Sequence, residues 1–84
     1  MFKNKAEDGK MNISGPKIAK LRLQLPGKVS QRMLAERLQL IDVDLGKNAI
    51  QQIECGKRFV TDVELKGLAQ VLGVTTDEIL SNDE

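Results

Sequence analysis

The chain has 84 residues, of which 40% are hydrophobic, and a formal net charge of +1 at pH 7. This length has room for one small domain, and its core must be aliphatic because Phe2 and Phe59 are the only aromatic residues. There is no histidine and only one cysteine, Cys55, which excludes Cys/His zinc sites, histidine-based acid–base catalysis and an internal disulfide. We therefore expect no catalytic residues, no metal and no other cofactor, and an enzyme is the least favoured class.

The two halves of the chain carry opposite charge. Residues 1–40 hold nine basic and three acidic side chains, whereas residues 41–84 hold four basic and nine acidic ones. A basic N-terminal half of this kind is typical of a chain that binds a polyanion, although such an asymmetry also arises by chance. No apolar run reaches the roughly 18 residues of a membrane helix, and the polar N-terminus lacks the apolar centre of a signal peptide. We expect a cytoplasmic protein without a membrane partner.

The first predicted elements are a tail and a helix. Residues 1–14 have low hydrophobicity and mixed charge, which predicts a flexible or loosely docked tail ahead of a domain over 15–84. Helix 1 is predicted over 16–25, because Pro16 is favoured at a first helical position and apolar residues then recur at helical spacing. Its buried stripe is predicted to comprise Ile18, Leu21 and Leu25.

Helix 2 is predicted over 31–40, after the N-cap residue Ser30. Its buried face is predicted to comprise Leu34, Ala35 and Leu38. As the first helical residue, Gln31 can point its side chain and backbone N–H at a phosphate. The segment 39–45 either extends this helix or forms a connection. Its apolar residues either close the core or form an exposed surface for a partner: Leu40, Ile41, Val43 and Leu45.

Helix 3 is predicted over 47–54, with Gly56 as its C-cap. Ile50 and Ile53 lie three residues apart and so share one face. Four residues point elsewhere and carry ammonium or amide heads: Lys47, Asn48, Gln51 and Gln52. Such groups pair with guanine and adenine edges in the major groove of DNA, so the pattern is that of a recognition helix. The alternative is an ordinary solvated face.

Two further helices are predicted over 62–72 and 76–81. Each begins with a capping box, Thr61 with Glu64 and Thr75 with Glu78. Five short helices without strand-like alternation predict an all-α domain.

Four stretches together resemble the Cro and phage-repressor (XRE-type) helix-turn-helix family. They are Ile18-Ala-Lys-Leu-Arg22, Val29-Ser-Gln-Arg-Met-Leu-Ala-Glu-Arg-Leu38, Ile50-Gln-Gln-Ile-Glu-Cys-Gly-Lys-Arg58 and Leu65-Lys-Gly-Leu-Ala-Gln-Val-Leu-Gly-Val-Thr-Thr-Asp-Glu-Ile-Leu80. The resemblance covers residues 16–81 in family order. The connection between helices 2 and 3 is longer than the family norm, as in a similar bacterial subset.

This resemblance implies a five-helix phage-repressor-like domain that inserts helix 3 in the major groove of double-stranded DNA. The family's base contacts fall on Lys47, Asn48 and Gln52, with Gln51 flanking them. Its phosphate-binding glutamine falls on Gln31, and its buried Arg–Glu pair falls on Arg22 and Glu54. Further phosphate contacts are expected from basic residues near these helices, for which simple turn or surface positions are the alternative: Lys28, Arg32, Lys57 and Arg58.

The predicted function is sequence-specific regulation of transcription, with repression by occupancy of a palindromic operator and a homodimer on the DNA. One alternative is the antitoxin of a toxin–antitoxin pair, which adds a surface for a protein partner. The other is a protein-interaction module that has lost DNA binding.

Overall fold

The computed structural model describes residues 10–81, which fold into five α-helices with no strand. They are α1 (Gly15–Gln24), α2 (Gln31–Gln39), α3 (Lys47–Glu54), α4 (Asp62–Leu72) and α5 (Thr76–Leu80). The predicted all-α fold is confirmed, and each helix begins and ends within one residue of its predicted bounds. Most of the predicted tail and the last three residues lie outside the described part of the chain, so the division at residue 14 stays a prediction.

Three helices begin with the predicted side-chain caps. At the start of α2, the Ser30 hydroxyl accepts the Met33 N–H at 3.1 Å. The starts of α4 and α5 are complete capping boxes, built on Thr61 and Thr75. A cap of this kind stabilises a helix by about 1 kcal/mol, so these starts are determined locally by the residues at the helix ends.

The core is one cluster of aliphatic side chains to which all five helices contribute, and α3 packs against both α1 and α2. Its buried members are Ile18, Val29, Leu34, Ala35, Leu38, Val43, Leu45, Ile50, Ile53, Leu68, Ala69, Leu72 and Ile79. Of the predicted stripe on α1, Ile18 is fully buried, whereas Leu21 and Leu25 are partly buried at the edge of the cluster. The buried faces predicted for α2 and α3 are confirmed.

The connection between α2 and α3 is a loop anchored in the core. It leaves α2 through a turn in which Asp42 adopts the left-handed conformation (φ 65°), and the Val43 N–H returns to the Leu38 carbonyl at 3.0 Å. Val43 and Leu45 are buried, while Leu40 is 85% exposed. The two interpretations of this segment therefore apply to different residues, since most of its apolar side chains close the core and Leu40 faces solvent.

The C-terminal end of α3 is a glycine-capped turn. Gly56 is left-handed (φ 78°), a conformation that costs little only for glycine. Its N–H bonds the Ile53 carbonyl at 3.0 Å, and the Lys57 N–H bonds the Gln52 carbonyl at 2.8 Å, which is the Schellman pattern. The predicted C-cap role of Gly56 is confirmed, and the chain leaves α3 in one defined direction.

Candidate nucleic-acid interface

The outer face of α3 is polar and exposed. Lys47, Asn48, Gln51 and Gln52 are all exposed, while Ile50 and Ile53 on the opposite side are completely buried. Residues advance by about 100° on a helix, so the four polar side chains occupy one continuous arc. Their ammonium and amide groups can pair with base edges, so the arrangement has the chemistry of a base-reading surface.

Cys55 extends this arc by one residue. It follows α3 in a helical conformation (φ −84°, ψ −6°), and it is exposed. Position 55 lies four residues after Gln51 and therefore on the same side of the helix. The Cys55 side chain is shorter than the four polar side chains of the arc.

A partly buried network of hydrogen bonds holds α3 in place behind this face. The Arg22 guanidinium donates to both oxygens of the Glu54 carboxylate, with Nε–Oε2 at 2.7 Å and Nη2–Oε1 at 3.1 Å. The two side chains are only 11% and 7% exposed. Arg22 also donates to the Val29 carbonyl at 2.9 Å, which ties the end of α1 to the start of α2. The Arg22–Glu54 pair predicted from the family resemblance is thus present.

Gln31 belongs to the same network. Its Nε2 donates to Glu54 Oε1 at 2.9 Å, so Glu54 joins the first residue of α2 to the last residue of α3. This bond restricts the side chain and fixes which way its amide group faces. A phosphate contact by Gln31 stays a prediction, and the structure gives the side chain a partner that orients it.

The basic residues around α3 fall into two groups. Lys28, Arg32 and Lys57 are exposed, and Arg32 has only a long 4.0 Å contact with Glu36. Arg58 is instead engaged by Glu64 through two parallel bonds of 3.0 and 3.1 Å. The three exposed side chains can contact a polyanion directly. Arg58 can do so only if it leaves Glu64 or bonds to Glu64 and the polyanion together.

The Arg58–Glu64 pair also shifts the titration of both groups. The hydrogen bond from Arg58 lowers the pKa of the Glu64 carboxyl, and the Thr61 N–H adds to this effect against the opposing influence of burial. The same bond raises the pKa of Arg58. Because Glu64 also closes the capping box of α4, the pair ties the turn after α3 to the start of α4.

Two contacts of this region have no signal in the sequence pattern. One is the Gln31–Glu54 bond, and the other is a bond from Asn12 to the Ile53 carbonyl at 3.1 Å. Their partners are 23 and 41 residues apart, so no local motif could have indicated them. Both converge on the C-terminal turn of α3.

The described residues show neither of two other kinds of site. Within residues 10–81, no group of three or more His, Cys, Asp or Glu side chains is arranged to hold a metal ion. No helix in that part of the chain is long and apolar enough to cross a membrane.

Comparison with solved structures finds the P22 c2 repressor protein, in complex with synthetic operator 9T in the presence of Tl+. The match has a TM-score of 0.70 and 24% sequence identity, and it covers 86% of this chain and 98% of that chain. Comparisons with protein-family models and with curated sequences find no match. The likeness establishes the fold, so this chain has the phage-repressor-like helix-turn-helix fold that its motifs predict.

Proposed function

We propose that the protein is a cytoplasmic, sequence-specific DNA-binding regulator that represses transcription by occupying an operator. The observation that carries this proposal is the polar face of α3, exposed on one side and held from behind by the Arg22–Glu54–Gln31 network. The structural neighbour is a repressor in complex with a synthetic operator, which supports the same role for this fold.

In this proposal, α3 lies in the major groove of double-stranded DNA. Lys47, Asn48 and Gln52 contact base edges, with Gln51 beside them. Phosphate contacts set the register of the helix and carry no sequence information. They come from residues around the two helices: Gln31, Lys28, Arg32, Lys57 and, after exchange with Glu64, Arg58.

The first test separates base contacts from the rest of the surface. Preferred sites are selected from a random duplex library, and affinities for the selected and a scrambled duplex are measured at fixed salt. Asn48→Ala and Gln52→Ala should each cost about 1–3 kcal/mol on the selected duplex and much less on the scrambled one. Gln70→Ala, which removes an exposed amide from α4, is the matched control and should leave both affinities unchanged. Variants of α3 that keep the wild-type ratio of the two affinities would place the reading surface elsewhere.

A companion measurement addresses the phosphate contacts. Lys57→Ala should weaken binding to both duplexes equally, because phosphates are the same in every sequence. It should also reduce the slope of log affinity against log salt by about 0.9, the value for one phosphate. Lys66→Ala removes the same charge from α4 and serves as the control. An affinity of the wild-type protein that does not change with salt would refute DNA binding.

A further inference from the structure

The segment just before α1 is hydrogen-bonded to the end of α3. The Lys10 ammonium donates to the Cys55 carbonyl at 3.2 Å, and the Met11 N–H donates to the Gly56 carbonyl at 2.8 Å. The Asn12 amide donates to the carbonyls of Ile53 and Arg58 at 3.1 and 2.7 Å. We call residues 10–12 the N-terminal strap.

One of these bonds reaches a carbonyl of α3 itself, and the other three reach the turn that follows it. The last four carbonyls of an α-helix have no partner within the helix, and an unmet carbonyl is costly when partly buried. The turn at Gly56 satisfies those of Gln52 and Ile53. The strap gives Ile53 a second donor and reaches three carbonyls beyond it, so it covers the part of the turn that the glycine cap does not.

Asn12 is the central contact because its amide binds on both sides. Its Nδ2 bridges the end of α3 and the chain after the Gly56 turn, while its Oδ1 accepts the Gly15 N–H at 2.7 Å, at the first residue of α1. A side chain at Gly15 would collide with the Ile53 carbonyl, which shows how closely α1 approaches α3 here. One amide group therefore joins the start of α1 to the end of α3.

We propose that the N-terminal strap holds the base-reading helix at its C-terminal end and that Asn12 is the positioning residue for it. This inference rests on the proposed function. Glu54 holds α3 from behind through Arg22, and Asn12 fixes its last turn from a second direction. Gln51 and Gln52 lie in that last turn, and the exposed Lys57 follows it. The strap thereby sets both the direction in which the base-contacting side chains point and the position of a phosphate contact.

The test uses Asn12→Asp in the full chain. Aspartate keeps the oxygen that accepts the Gly15 N–H but places a second oxygen where the amide donated to the carbonyls of Ile53 and Arg58. The variant therefore loses the two bonds that Asn12 donates, while those of Lys10 and Met11 remain. Hydrogen exchange is measured at the Gly56 and Lys57 amides, which bond Ile53 and Gln52. Their protection should fall about tenfold, while the Val74 amide at the end of α4 should keep its protection.

Ile13→Ala is the control, because Ile13 directly follows the strap and is 66% exposed. This variant should leave exchange and DNA binding as in the wild type. In Asn12→Asp, the ratio of affinities for the selected and scrambled duplexes should fall about fivefold, since a loosened reading helix loses base contacts before phosphate contacts. A loss of stability alone would leave this ratio unchanged, because a smaller folded fraction lowers both apparent affinities by the same factor.

The outcomes separate the two proposals. Unchanged protection at Gly56 and Lys57 in Asn12→Asp would show that Asn12 does not hold the end of α3. Reduced protection with an unchanged affinity ratio would refute the positioning role. A wild-type protein without preference for any duplex would overturn the proposed function, and with it the role of Asn12 in positioning a base-reading helix. The exchange data would still show whether the strap holds α3.

Discussion

Glu54 is a single carboxylate that joins three helices behind the candidate interface. It accepts bonds from the Arg22 guanidinium and the Gln31 amide, and so brings α1, α2 and α3 to one point. Removing one partner of this partly buried pair leaves the other charge without its partner, which destabilises the fold. The orientation of α3 relative to the start of α2 is therefore set by this network. The network also sets the distance between the candidate base contacts on α3 and the candidate phosphate contacts near α2.

The Arg58–Glu64 pair gives a prediction about pH. Folding lowers the pKa of Glu64, chiefly through its bond from Arg58, so the ionised carboxylate stabilises the native state above the ordinary pKa of a glutamate. This contribution is lost as the pH falls through the lowered pKa of the folded protein. Glu64→Gln keeps a side chain that can close the capping box and removes the charge. At neutral pH it should lower the free energy of unfolding by about 1 kcal/mol.

The measurement is urea unfolding of wild type and Glu64→Gln at a series of pH values. Their difference should shrink towards zero on the acid side of the ordinary glutamate pKa. Glu36→Gln is the control, because Glu36 meets Arg32 only at 4.0 Å on an exposed surface and should contribute little at any pH. A difference between wild type and Glu64→Gln that is independent of pH would show that the ion pair is not its cause.

At the scale of elements, the connection between α2 and α3 behaves as a short structural unit. It turns at Asp42 and then inserts Val43 and Leu45 into the core before α3 begins. Gly67 on α4 makes room for it, since a side chain there would collide with Val43. The connection is therefore packed between α2, α3 and α4, and its extra length adds core anchors to the helix-turn-helix unit.

The two leucines of this connection provide a matched pair for testing that description. Leu45 is fully buried and Leu40 is 85% exposed, although both belong to the same short segment. Leu45→Ala should lower the free energy of unfolding by about 2–5 kcal/mol, because it removes buried methyl groups and leaves a cavity. Leu40→Ala should change it by no more than about 0.5 kcal/mol. Chemical denaturation measures both, and equal effects would mean that the connection is not anchored as described.

The sequence was informative where structure is decided locally. Ser30, Thr61 and Thr75 predict three helix starts, and Ile50 with Ile53 predicts the buried side of α3, because caps and helical periodicity depend on neighbouring residues. The family resemblance supplied the Arg22–Glu54 pair. The partner of Gln31 could not be predicted, since it depends on how α2 and α3 meet in space.

The segment 39–45 shows a second limit. Its apolar residues are compatible with either a core or an exposed surface, and their spacing does not decide between them. The left-handed turn at Asp42 decides it, because this turn sends Val43 and Leu45 inward and leaves Leu40 outside. The roles of the candidate base and phosphate contacts remain predictions, since they depend on a nucleic acid rather than on the fold.

At the scale of the whole molecule, the five helices differ in whether acidic side chains occupy their first turns. The first turns of α4 and α5 carry acidic side chains, Asp62 and Glu64 in one and Asp77 and Glu78 in the other. These compensate the positive ends of their helix dipoles. The first turns of α2 and α3 contain no acidic residue. The first turn of α1 also has none. The two helices proposed to meet DNA therefore have no acidic side chain at their positive ends to oppose a phosphate group.

The size of α3 leads to the last prediction. Eight residues make a helix about 12 Å long, which reaches only about four base pairs, and so short a site recurs too often for selective regulation. We therefore expect two chains to bind one operator with two-fold symmetry, their half-sites about 34–36 Å apart along the duplex. Selected sites should be palindromes, and sedimentation should show two chains on each duplex. A duplex with one half-site should bind one chain, and more weakly. An asymmetric selected site occupied by a single chain would contradict this arrangement.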